Sequence, residues 1–194
     1  MEIASFARVS TSKVFAGISP REWQVLGAQA VVDERVIVRA GFERLKAEKM
    51  KWGILSVNFS SEWIQGASGV GEGVKITANS IDEEGLIRGP DVCKGEVMAT
   101  SDGKLEELKK MIRRLKGSRE GKVVYVGDSG TDLECLIEEG IVGVVMSGDG
   151  EGSLMETLRR VEVEVRHLKN YEELFVGLYW IKDFNELLQS PLLK

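Results

Sequence analysis

The chain has 194 residues, 43% of them hydrophobic and 29% charged, with a formal net charge of −5. That composition belongs to a soluble globular protein, and the length buries roughly 70% of the unfolded surface, enough for a core without staples. The acidic balance argues against nucleic acid as the main partner. Two cysteines, Cys93 and Cys135, lie outside any CxxC or Cys/His cluster, so a disulfide framework is not expected and a reducing, cytoplasmic setting is. No apolar run reaches 18 residues, so no membrane span is expected, and "MEIASFARVSTSKVF" lacks the apolar core of a secretory signal.

Residues 1–50 read as helical. "SPREWQVLGAQAVV" offers Ser19 as N-cap, Pro20 at the first helical position and Glu22 three residues after the cap. Trp23, Leu26, Ala30 and Val31 fall on one face of that helix. "GFERLKAEKM" continues as a second helix, Phe42 and Leu45 inward. A domain boundary is expected near Met50, with a helical cap-like segment over 1–50 and an α/β core over 51–194.

From there the pattern changes to short solid apolar runs, which suit strands buried on both faces. "WGILSV" (52–57) and "VKITAN" (74–79) are the first two, separated by a helix capped by Ser60 or Ser61. "DEEGLIRGP" reads as a turn-rich polar stretch. "SDGKLEELKKMIRRLKG" predicts an amphipathic helix with Leu105, Leu108, Ile112 and Leu115 on one stripe and Gly117 as its stop. "KVVYVGD" and "IVGVVMSG" are the third and fourth strands around a short helix, "TDLECLIEEG". "SLMETLRRV" and "DFNELLQ" close the chain as helices. Strands alternating with helices in this way predict an α/β protein with a parallel sheet.

Ligands of open parallel sheets bind at the carboxyl ends of the strands. Ser56 and Asn58 end the first strand, Asp128 and Asp132 follow the third, and Lys104 opens the long helix. Paired carboxylates suit Mg²⁺, a lysine neutralises phosphoryl charge, and hydroxyls with helix N-termini hold phosphate oxygens.

"ILSVNFS", Lys104 in "TSDGK" and "VVYVGDSGTDL" together resemble motifs II, III and IV of the haloacid dehalogenase (HAD) superfamily, over about residues 52–148. The flavour is similar to its small-phosphoester phosphatases of the phosphoserine and thiamine-phosphate types. The resemblance implies a three-layer Rossmannoid fold with a parallel sheet and an N-terminal helical cap segment. It implies that Ser56 binds the transferred phosphoryl group, with Asn58 beside it, and that Lys104 stabilises phosphoryl and nucleophile charge. It also implies that Asp128 and Asp132 hold Mg²⁺, and that the reaction is Mg²⁺-dependent hydrolysis of a small phosphorylated metabolite through an aspartyl-phosphate. It names neither that metabolite nor an oligomeric state.

One part of the pattern is missing. The family's motif I is a strand ending Asp-x-Asp-x-Thr/Val upstream of Ser56, carrying the nucleophile and the acid/base. Asp33 in "VVDERVIV" is the nearest match; it follows a helical pattern, and Arg35 stands where the acid/base belongs and cannot release a proton near neutral pH. By this likeness the chain begins just after motif I. The strands of motifs II and IV, which flank the motif I strand in the family, are then expected either to pair directly or to expose edges. Losing a covalent nucleophile costs on the order of 10⁶ in kcat in a serine protease, and Mg²⁺ would lose a ligand too. The expected activity is therefore absent or crippled, and the alternative is a non-catalytic remnant that binds a ligand or a protein.

Other features read blandly. "GVGEGVK" (69–75) lacks both GxGxxG spacing and a Gly-Lys-Ser/Thr ending, so it is a loop. "SGDGEGS" (147–153) is a turn after a strand whose Asp149 would lie toward the metal. His167, the single histidine, has no ligand-spaced partner in sequence and is expected to be structural. The four tryptophans are expected in packing roles.

Overall fold

The computed structural model describes residues 2–90, 96–116 and 121–193; Cys93 and Gly117 lie outside them. In chain order the first elements are α1 (Glu2–Ser12), α2 (Pro20–Val32), α3 (Phe42–Ala47), β1 (Gly53–Leu55), α4 (Ser61–Ser68) and β2 (Lys75–Thr77). Then follow β3 (Ser80–Ile81), β4 (Ile87–Arg88), α5 (Ser101–Lys116), β5 (Val123–Gly127), α6 (Leu133–Ile137) and β6 (Ile141–Met146). α7 (Ser153–Arg160), β7 (Val165–His167), β8 (Leu178–Ile181) and α8 (Phe184–Gln189) complete them.

The chain folds as two compact units, Met1–Val38 with Met50–Met111, and Arg39–Lys49 with Ile112–Lys194. By this division residues 1–38 and 39–49 belong to different units. α2 belongs with α4, whereas α3 packs on α8, with Phe42 and Phe184 rings 5.5 Å apart and Arg44 donating to Asn185 at 2.8 Å.

In the first unit α2 begins with the expected capping box. The Glu22 N–H donates to Ser19 Oγ at 3.3 Å, and Glu22 Oε2 accepts from the Ser19 N–H at 2.8 Å. The buried face differs from the hydropathy reading, since Trp23 and Gly27 are inside and Leu26 is 46% exposed. The cause is glycine. A Cβ on Gly27 would lie 2.1 Å from Trp63 O, and one on Gly66 would lie 1.9 Å from Gln24 O. The two helices meet backbone to backbone along these glycines, and the contact line turns away from Leu26.

β1 and β2 pair in parallel, Ile54 opposite Ile76. The polar stretch after them turns as expected, but it is bracketed by an unanticipated two-residue antiparallel pair, β3 and β4. Asp82 Oδ1 accepts the Glu84 and Leu86 N–H groups, and Gly85 takes the left-handed conformation at φ +80°. Phe6, Trp23, Ile81, Ile87 and Ala99 form the core, with Phe15, Phe59 and Trp63 against it.

The second unit is a four-stranded parallel sheet, β5-β6-β8-β7, flanked by helices. Its core is built from Val144, Met146, Leu168, Tyr179, Ile181, Leu187 and Leu192. The apolar runs of β5 and β6 were legible as strands; β7 and β8 were not. Among the described residues β1 pairs with β2 and β5 with β6, so each keeps one ladder edge without a described strand. No helix among the described residues is long and apolar enough to cross a membrane.

Candidate functional site

The first unit carries Ser56, Asn58 and Lys104. Ser56 and Asn58 lie in the loop that leaves β1 and are half-buried. Ser56 Oγ accepts the Asn58 N–H at 3.2 Å, and Asn58 Oδ1 accepts the Ser60 N–H at 3.1 Å, so each polar side chain shapes the loop one step ahead of itself. Ser60 is the N-cap of α4, accepting the Trp63 N–H at 3.1 Å. Lys104 stands in the first turn of α5, its N–H bonded to Thr100 O at 3.0 Å.

Lys104 is 5% exposed. On hydropathy alone it belongs to the solvent face of a lysine-rich helix, with Leu105, Leu108, Ile112 and Leu115 inward. The buried residues of α5 are instead Lys104, Glu107, Leu108 and Met111, so the inner stripe is turned to include two charges. Glu107, 1% exposed, accepts from Lys110 Nζ at 2.6 Å. Charged side chains are rarely buried without partners, and a hydrophobicity count cannot anticipate a stripe that includes them.

The second unit carries Asp128 and Asp132 at the carboxyl end of β5. A single 3-10 turn, Gly130–Asp132, follows the strand, and Asp132 folds back beneath it. Asp132 Oδ2 accepts the N–H groups of Asp128 at 3.1 Å and Ser129 at 3.0 Å, and the Ser129 hydroxyl at 2.8 Å. Asp132 Oδ1 accepts the Tyr125 hydroxyl. The carboxylate is 3% exposed, while Asp128 is exposed. Gly127 makes the fold-back sterically feasible, because a Cβ there would lie 2.5 Å from Asp132 Cβ and 2.6 Å from its Cγ. The two carboxylates thus divide the work: one holds the turn, the other faces outward from it.

Burial, and then the Asp132 charge, push the Tyr125 phenol far above its ordinary value of 10, with the Cys135 thiol beside it. The folded protein therefore keeps a proton that the unfolded chain releases above about pH 10. The corresponding stability is complete below that pH and falls as pH rises, by about 1.4 kcal/mol per unit for one proton. Denaturant titrations of wild type and Tyr125→Phe between pH 8 and 11 should show this slope in the wild type and its loss in the variant.

The remaining candidates engage neighbouring residues. Asp33 is the C-cap residue of α2, accepting from Gln29 at 2.7 Å and facing Arg35 at 3.7 Å. Asp149 is exposed, with Oδ1 accepting the Glu151 N–H at 3.0 Å within its own turn. His167 Nδ1 accepts the Lys169 N–H at 3.1 Å, its Nε2 lies 3.3 Å from Glu186, and its ring stands edge-on to Trp180 at 4.3 Å.

Mg²⁺ requires several oxygen ligands in near-octahedral geometry. Asp128 is open to such an ion; Asp132 is occupied by protein donors. Among the described residues no group of three or more His, Cys, Asp or Glu side chains is placed to hold a metal. Of the pair, Asp128 alone has its carboxylate open to an ion.

No family model matches the chain, and no curated protein or solved structure matches it either. Two residues central to this geometry gave no sequence signal of function. Tyr125 reads as one more apolar strand residue, and Asn79, buried after β2, reads as an ordinary strand end. A polar group inside an apolar run is the trace that each leaves.

Proposed function

We propose that the chain is a HAD-like, phosphatase-type protein that binds a small phosphorylated metabolite and does not by itself complete the hydrolysis. The first unit contributes the phosphoryl-binding residues, Ser56, Asn58 and Lys104. In the second unit, taken by itself, Asp128 is an exposed carboxylate open to a cation, and Asp132 shapes its turn. The observation that carries this reading is Lys104: a lysine drawn to 5% exposure in the first turn of a helix, in the same unit as Ser56 and Asn58. A fixed cation at that position suits a phosphoryl group.

A second reading, binding without catalysis, is favoured by the engagement of Asp132 and by Asp33 and Arg35 being committed to a helix end. One pair of measurements tests both the binding and the absence of turnover. Titration with inorganic phosphate should show saturable binding that Lys104→Ala weakens at least tenfold. Incubation with a panel of phosphomonoesters and Mg²⁺ should release no phosphate above background. Binding indifferent to Lys104 sinks the reading altogether; Lys104-dependent turnover sinks its non-catalytic half.

A further inference from the structure

Asn79 is 0% exposed and follows β2. Its side-chain amide makes four contacts with two other connections of the first unit. Nδ2 donates toward Val57 O at 3.3 Å and Asn58 O at 3.1 Å, in the loop leaving β1. The same nitrogen donates to Met98 O at 3.0 Å, and Oδ1 accepts the Met98 N–H at 2.8 Å, in the segment leading into α5. The Asn79 carbonyl accepts the Ser61 N–H, the first residue of α4, at 2.8 Å. One buried planar group thus ties together the segments that carry Ser56, Asn58 and Lys104. Two hydrogens on Nδ2 serve three carbonyls, so the loop leaving β1 is held by a shared bond. Only an amide head presents donors and an acceptor in this arrangement; an aspartate lacks the donors and a leucine lacks both.

From Asn79 to the functional groups the path is short. Ser56 Oγ accepts the N–H of Asn58, whose carbonyl Asn79 holds. Thr100, two residues after Met98, accepts the Lys104 N–H with its carbonyl at 3.0 Å and the Gly103 N–H with its hydroxyl at 3.2 Å. We propose that Asn79 is a positioning residue that fixes the spacing between the Ser56–Asn58 loop and Lys104, and so the affinity of the first unit for a phosphate group. This rests on the phosphoryl-binding reading of those three residues. A core asparagine without this role would support stability alone, leaving the folded protein's affinity unchanged.

The test uses the full chain and inorganic phosphate, followed by the backbone amide signals of Ser56, Asn58 and Lys104. Asn79→Ala and Asn79→Ser, studied at a temperature where circular dichroism shows them folded, should raise the phosphate Kd at least tenfold, with serine milder than alanine. In the wild type the Asn79 side-chain amide signals should shift along the same binding curve as Ser56 and Lys104. That second readout applies even if neither variant folds. Folded variants that bind phosphate within twofold of wild type, or Asn79 signals unmoved at saturation, overturn the inference alone. Absence of Lys104-dependent phosphate binding in the wild type overturns the phosphoryl reading and this inference with it.

Discussion

Gly66→Ala lowers the stability of the chain by about 3 kcal/mol, the upper range for forcing a methyl group into a closed contact. The added Cβ would stand 1.9 Å from Gln24 O, 2.7 Å from Gln24 C and 2.8 Å from its Cα. All three are backbone atoms of a helix, so no side chain can rotate away. α2 and α4 must separate, and the Gln24–Gln65 side-chain bond of 3.0 Å goes with them. The helix propensity of alanine, about 1 kcal/mol better than glycine, opposes the loss without cancelling it. Gly71→Ala is the control, because nothing lies within 4 Å of its added Cβ, and it should change stability by no more than about 1 kcal/mol. Urea denaturation of the three proteins decides the matter. Equal midpoints for Gly66→Ala and wild type would mean that the two helices do not touch along this line.

The second large effect separates two carboxylates that the sequence presents as a pair. Asp132→Ala should cost about 3 kcal/mol, since it leaves the buried Tyr125 hydroxyl and the part-buried N–H groups of Asp128 and Ser129 without their acceptor. Each buried donor left unsatisfied costs roughly 1–3 kcal/mol, and the Ser129 hydroxyl can turn to Thr131 at 2.8 Å. Asp132→Asn should cost about half as much: one oxygen survives, and the amide nitrogen opposes donors where the other stood. Asp128→Ala removes an exposed carboxylate and should fall within about 0.5 kcal/mol of wild type. Thermal and urea unfolding of the three variants test the assignment. A stability loss for Asp128→Ala comparable to that for Asp132→Ala would contradict the division of roles drawn from the hydrogen bonds.

How much of this was readable beforehand depended on the size of the local signal. β5 and β6 are apolar runs of five and six residues ending in glycine or serine turns, and such runs announce themselves. β7 is Val165–His167, three residues of which two are polar, and its strand state follows from pairing with β8 in the sheet rather than from its own composition. The capping box at Ser19 and Glu22 was legible because all of its parts lie within four residues. The α2 contact face was not, because it is decided by Gly27 meeting Trp63 and Gly66 meeting Gln24, some forty residues apart. At the candidate site, the order Ser56, Lys104, Asp128, Asp132 was visible in sequence. The burial of Lys104 and the inward turn of Asp132 were not, since the first depends on which side of α5 the fold turns inward and the second on which donors the folded chain aims at the carboxylate.

The split of the N-terminal fifty residues between two units has a bearing on biosynthesis. α3 finds its partner α8 across a separation of 141 residues, measured between Arg44 and Asn185. On a ribosome adding roughly 5–20 residues per second, that partner emerges on the order of ten seconds after α3 does. During the interval Phe42 has no Phe184 to pack on, whereas α2 and α4 are both out of the exit tunnel within a few seconds of each other. Nascent-chain folding is therefore staggered: α2 and α4 of the first unit pair early, whereas α3 of the second waits for α8.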